Sequence, residues 1–126
     1  MAKRIVLDDV KEKSTGTFRL TVQDDGASSG TAISSANISV ATISLLLKSD
    51  GTTVNSVSDV DVSSEITTGG LLTHIFTTTD NALQSTADSM PETRIISFHW
   101  VGVSSESNTI TKNEEFEYDV VQSYRR

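Results

Sequence analysis

The chain has 126 residues, 36% of them hydrophobic and 6% aromatic, no cysteine, and a formal net charge of −7. That length fits one domain with a single core; disulfides, thiolate chemistry and cysteine-ligated metals are excluded, and the acidic balance argues against nucleic acid, whose phosphates would be repelled. No run of about 18 apolar residues exists to cross a membrane as a helix, and the abundance of Ser and Thr suits the solvent face of β-strands.

The opening Met1-Ala-Lys-Arg-Ile-Val-Leu-Asp-Asp9 has two basic residues and a three-residue apolar stretch before acids intervene. This is not the pattern of a secretory signal, so synthesis and folding in the cytoplasm are expected. Residues 1–4, with Lys3 and Arg4, read as a terminal arm, Ile5 to Leu7 as a short first strand, and Asp8 to Gly16 as a charged turn region. Thr17-Phe-Arg-Leu-Thr-Val-Gln23 alternates with a period of two and points Phe18, Leu20 and Val22 inward. Asp24 to Gly30 is a loop whose glycines supply positive φ; residues 31–37 fit either an edge strand or irregular chain. Val40 to Lys48 is a strand with Ile43, Leu45 and Leu47 inward, and Ser49-Asp-Gly-Thr52 signals a hairpin into a return strand, Thr53 to Val62. Within that return Val54 and Val57 are out of register with Val60 and Val62, which a bulge near Ser56 would reconcile. Gly69-Gly70 marks a turn into a strand over Leu71 to Thr77, and Thr79 to Leu83 reads as a short helical turn capped by Thr79 or Asp80. Ser85 to Pro91 is a polar linker, with Pro91 placed just ahead of a strand.

The most apolar and aromatic run is Glu92-Thr-Arg-Ile-Ile-Ser-Phe-His-Trp-Val-Gly-Val103, which contains the single tryptophan. Ile96, Phe98 and Trp100 fall on one side, so a central strand is expected. Glu114 to Val121 alternates more cleanly still, with Phe116, Tyr118 and Val120 inward and Glu115, Glu117 and Asp119 facing water. The polar loop Ser104 to Asn108 joins the two segments as an antiparallel hairpin. Six or seven strands, frequent turn signals and no amphipathic helix predict an all-β fold. The expected architecture is an immunoglobulin-like antiparallel two-sheet sandwich over residues 1–126, with a small antiparallel barrel as the alternative. Without a disulfide between the sheets, Trp100 is expected to pack against aliphatics such as Leu20 and Leu45.

Chemistry is harder to find. His74 and His99 both alternate with apolar neighbours and read as ordinary strand residues on a wet face; no Gly-x-Ser-x-Gly elbow accompanies them, and two isolated histidines do not make a zinc site. Asp24-Asp25, Glu114-Glu115 and the group Asp59, Asp61 and Glu65 have the oxygen chemistry of a calcium site, with the last three as the calcium candidates. The plainer account of these acids is a solvated surface that keeps edge strands from pairing with other molecules. A glycosidase pair of carboxylates is open on spacing alone, against which one tryptophan and two tyrosines offer few platforms for sugar rings. Asn37-Ile-Ser39 matches a glycosylation acceptor, meaningful only in a eukaryotic secreted protein. The tail 122–126 ends in Arg125 and Arg126, a basic arm on an acidic body that either solubilises the end or reaches an acidic neighbour subunit. No cofactor is called for.

Five segments together resemble the small immunoglobulin-like virion proteins of tailed bacteriophages. They are Thr15 to Gly26, Ser49 to Asn55, Gly70-Leu-Leu-Thr-His-Ile-Phe-Thr-Thr-Thr-Asp-Asn-Ala-Leu83, Glu92-Thr-Arg-Ile-Ile-Ser-Phe-His-Trp100 and Glu115-Phe-Glu-Tyr-Asp-Val-Val121. The shared pattern is a Leu-Thr-x-x-x-Thr-x-x-Asp segment, a Glu-led aromatic strand and a final acidic, aromatic strand. The Ser/Thr-rich insert at 27–39 departs from it. The resemblance implies a capsid-decorating, cementing or neck-associated role in the virion without catalytic residues, with capsid, portal or tail proteins and further copies of the chain as partners. The alternative, from the residues, is a carbohydrate- or host-surface-binding adhesive domain that uses loop carboxylates. A hydrolase is the third reading, and nothing in the motifs supports it.

Overall fold

The computed structural model of the protein describes residues 3–4, 10–11, 13–23, 31–82, 92–104 and 107–121. Eight strands follow in order: β1 (Lys3–Arg4), β2 (Val10–Lys11), β3 (Gly16–Thr21), β4 (Ile38–Leu47), β5 (Val60–Asp61), β6 (Leu71–Phe76), β7 (Glu92–Val103) and β8 (Thr109–Val121). The larger sheet has the order β1-β8-β7-β4-β5 with β2 also on β8, and β3 pairs with β6 in a second sheet. The connectivity is immunoglobulin-like: β3 and β6 stand where strands B and E do, and β4, β7 and β8 where C, F and G do. Among the described residues the two sheets share no ladder, which is the arrangement of a sandwich and not of a closed barrel. All pairings are antiparallel except those of β1 and β2, which run parallel to β8.

The hairpin β7–β8 forms because alternation and turn chemistry agree. Ser104 N–H donates to the Asn108 carbonyl at 2.9 Å, and Ser107 adopts φ 65° to close the loop. Along the ladder Ile96 faces Phe116, and Trp100 sits between Ala41 of β4 and Lys112 of β8. A small residue opposite the indole leaves it room. Gly102 has the same use, because a Cβ there would lie 3.1 Å from the indole Cζ3. Trp100 is 0% exposed and shares one core with Phe18, Val22, Ile43, Leu45, Ile96, Phe98, Phe116, Tyr118 and Val120. Antibody domains keep their buried tryptophan on strand C; here it lies on the F-like strand.

Two expected core residues are only partly buried: Leu20 and Leu47 pack against the core from its margin. Leu47 is the last residue of β4, and Leu20 lies on a strand with a sheet partner on one side only among the described residues. Missing from the expected core were Leu72 and Phe76 of β6, and Ile33, Val54, Val62 and Ile66 from irregular segments. The two sheets are joined by rings: Phe18 meets Phe116 at 5.3 Å between centroids, and Phe76 stacks on Tyr118 at 5.9 Å. Such pairs contribute about 0.5–1.5 kcal/mol each beyond the area they bury.

The return from β4 departs from expectation. It runs antiparallel along β4, with Val54 N–H bonded to the Leu45 carbonyl and Leu45 N–H to the Val57 carbonyl, yet only Val60–Asp61 keeps strand geometry. Left-handed Asn55 and Ser56 (φ 52° and 59°) and Asp59 (φ 50°) replace the single bulge. They turn the chain so that Val54 and Val62 are buried while Val60 is exposed. Gly70 makes the turn before β6 at φ +84°, and a Cβ there would meet the Ile33 carbonyl at 2.7 Å. Segment 78–82 is a turn rather than a helix, and its cap is Thr77: Thr77 Oγ1 accepts from Asp80 N–H, and Asp80 Oδ2 accepts from Thr77 N–H. That is a reciprocal capping box starting two positions before Thr79, the earlier of the two expected caps. The first strand expected over Ile5 to Leu7, Leu83 and the linker at 85–91 lie outside the described residues.

Trp100→Ala is expected to cost about 3–5 kcal/mol, the usual range for deleting a buried large aromatic. A melting temperature lowered by only a degree or two would contradict this placement.

Candidate functional site

The densest polar chemistry lies at the end of the sandwich where β7 begins. Arg94 is on the inward face of β7 and wholly buried, the one inward charge in the run Arg94, Ile96, Phe98, Trp100. Its Nη1 donates to the Asp80 carbonyl at 2.6 Å and Nη2 to the Ala82 carbonyl at 2.8 Å. Nε and Nη2 both reach Glu92 Oε1, at 3.0 and 2.7 Å. Burying a guanidinium costs several kcal/mol unless its donors are matched, and here a carboxylate and two loop carbonyls match them. Asp80 also accepts from Asn55 Nδ2 at 2.7 Å, tying in the left-handed turn after β4. Asn81 donates to the Ser14 carbonyl and accepts from the Tyr118 hydroxyl at 2.8 Å. Burial pushes the Tyr118 phenol far above its ordinary 10.0, with the nearby Arg94 charge acting in the opposite sense. Every polar member is bonded inward, so the cluster fastens the 77–82 turn to both sheets rather than offering a reactive group. The sequence carried this signal as an arginine on the apolar side of the central strand.

The histidines divide. His99 lies on the outer face of the large sheet, with Nδ1 2.7 Å from Asn113 Oδ1. His74 is not on a wet face: it pairs with buried Phe18, turns toward the core beside Leu72 and Phe76, and its side chain is 14% exposed. Its ring meets Phe76 edge-on at 4.8 Å, and Nδ1 lies 2.7 Å from Glu65 Oε1. That contact takes Glu65 out of the calcium group. Asp61 Oδ1 accepts from Ser63 N–H, which holds its carboxyl below the usual 3.8. Asp59 is exposed, and its N–H is held by Ser44 Oγ at 2.9 Å. Asp59, Asp61 and Glu65 therefore do not converge, and among the described residues no three His, Asp or Glu side chains cluster to hold a metal ion. Asp24 and Asp25 lie outside the described residues.

Glu117 corrects another expectation. It belongs to the outer face of β8 but is only 9% exposed, and Lys48 Nζ holds its carboxylate at 3.1–3.2 Å. Asp119 is half-buried and accepts from Thr93 Oγ1 at 2.8 Å. Glu115 remains exposed, as expected. Glu114 and Lys112 occupy the inward side of β8 beyond the core, where Glu114 Oε2 accepts the Trp100 indole N–H at 3.1 Å. The edge of β8 from Thr109 to Glu115 has no strand partner among the described residues, and inward charges of this kind oppose pairing with a foreign strand. Lys3–Arg4 do not project as a free arm: their backbone pairs with Phe116 and Glu117 of β8. Arg125 and Arg126 lie outside the described residues.

Two outer faces remain. On the large sheet, Val40, Thr42, Ser44, His99, Val101, Thr111 and Asn113 form a surface of hydroxyls, amide and small aliphatics. On the small sheet, Thr17, Arg19 and Thr21 face Ile75, Thr73 and Leu71 across the ladder. No protein-family model, curated protein or solved structure matches the chain.

Removing the guanidinium by Arg94→Ala is expected to destabilise the fold by about 3–5 kcal/mol, since Glu92 and two carbonyls lose their donor; urea unfolding measures it. The Tyr118 phenol ionises less readily folded than unfolded, so its stabilising effect is complete below the ordinary phenol value of 10.0 and is lost as pH rises through and beyond it. Melting temperatures across pH 9 to 11, a range that brackets the ordinary phenol value, should therefore fall more steeply for the parent chain than for Tyr118→Phe. Parallel slopes would contradict the burial of that hydroxyl.

Proposed function

We propose that this chain is a non-enzymatic structural protein of a tailed-bacteriophage virion, either decorating and cementing the capsid or contributing to the head-to-tail neck. Its partners are then other virion proteins and copies of itself, its location is the particle, and its synthesis takes place in the host cytoplasm. The observation that carries this reading is the division of polar chemistry within the fold. The strongest donors and acceptors, on Arg94, Asp80, Asn81, Glu92 and Tyr118, are turned inward to fasten the sandwich. The outer faces carry mainly hydroxyls and isolated aliphatic side chains, among a few charges such as Arg19, Glu115 and the Lys48–Glu117 pair. Such faces suit many modest contacts, with affinity supplied by repetition across an assembly. Four of the five segments that resemble virion proteins fall largely on β3, β6, β7 and β8, one of them also taking in the Thr77–Asp80 capping box, and the fifth, Ser49 to Asn55, on the turn and irregular return after β4. The adhesive alternative is left with less support, because the carboxylates of Asp61 and Glu65 bond to Ser63 and His74 and no three acids gather among the described residues.

Mass spectrometry of purified particles from the phage that encodes the chain is expected to find it in many copies per particle, with cryo-electron-microscopy density that accepts the sandwich. Particles lacking it would overturn the proposal.

A further inference from the structure

We propose that copies of this chain associate head to tail, with the outer face of the β3–β6 sheet of one copy seated on the outer face of β4, β7 and β8 of the next and Arg19 set against Glu115. The inference rests on where the exposed apolar side chains and the unpaired charges fall, and it does not require the virion reading.

Ile75, 55% exposed, and Leu71, 38% exposed, share the outer face of the small sheet. Val40 and Val103, 39% and 40% exposed, lie on the opposite side of the sandwich, on the outer face of the large sheet. Each face also has an exposed charge with no ion-pair partner among the described residues: Arg19 on the small sheet and Glu115 on the large one. The other acids on that side of β8 are engaged, Glu117 by Lys48 and Asp119 by Thr93. Arg19 is the only charged residue on its face among the described residues, on a chain whose net charge is −7. Two small-sheet faces packed together would bring arginine to arginine, and two large-sheet faces would bring glutamate to glutamate, each disfavoured by like-charge contact. Joining unlike faces pairs the charges and covers aliphatic side chains on both sides. Because the faces lie on opposite sides of the sandwich, one copy can use both at once, and such a heterologous contact builds a ring or an open filament rather than a closed dimer.

Sedimentation velocity over a concentration series tests this on the isolated protein, so its failure is separate from that of the virion reading, which is tested on particles. The parent chain is expected to gain mass with concentration. Arg19→Glu and Glu115→Arg should each weaken association by roughly tenfold or more, and the double variant should recover it. An equimolar mixture of the two single variants should also associate, with the variants alternating, because Arg19 of one meets Glu115 of the other at one joint and the two reversed charges meet at the next. If a reversal lowers the melting temperature, Arg19→Gln and Glu115→Gln carry the same test with smaller losses. A parent chain that stays monomeric throughout, association indifferent to both substitutions, or a folded double variant that does not recover would each overturn the proposal.

Discussion

The small sheet is held to the large one by side chains, because no backbone ladder joins β3 or β6 to β4, β7 or β8 among the described residues. Two ring contacts, Phe18 with Phe116 and Phe76 with Tyr118, close the middle of the sandwich. At one end the guanidinium of Arg94 grips the carbonyls that follow β6, while Tyr118 reaches Asn81 in the same turn. An arginine stripped of water is tolerable only where its donors find partners, so β7, the turn after β6 and the turn after β4 have to arrive at one place together. That requirement fixes how the two sheets meet more sharply than aliphatic packing alone, which permits sliding at small cost.

Fastening of this kind leaves the exterior simple. Ser and Thr on the outer faces keep β-branched or small side chains over the pleat without committing the surface to one ligand. The exposed edges are handled differently from one another: β4 is lined by the irregular return segment, and β8 is covered near its C-terminal end by two short parallel strands. Farther along, β8 is protected by Lys112 and Glu114 pointing inward. Strand-edge addition is thereby discouraged where the hairpin is longest.

What the sequence by itself determined was periodic. Alternation placed Phe18, Val22, Ile43, Leu45, Ile96, Phe98, Trp100, Phe116, Tyr118 and Val120 on the inward side, and all of them are buried. The same pattern, with the turn residues between strands, made the class all-β, since strand periodicity is local and survives without knowledge of partners; that the strands divide into two sheets rather than close as a barrel was decided by the tertiary structure. Tertiary structure decided whatever depended on residues distant in the chain. Glu117 obeys the alternation yet is covered and paired with Lys48; His74 turns inward because its neighbour across the ladder is Phe18; Asp59, Asp61 and Glu65 are close in sequence and still hold different partners. Arg94 stands out in the sequence as a charge on the apolar side of the central strand, but its partners do not, because the carbonyls it grips belong to a turn whose position only the assembled sheets define. Hydrogen-bond partners and charge pairs are set by where separate strands come to lie, and no local period records that.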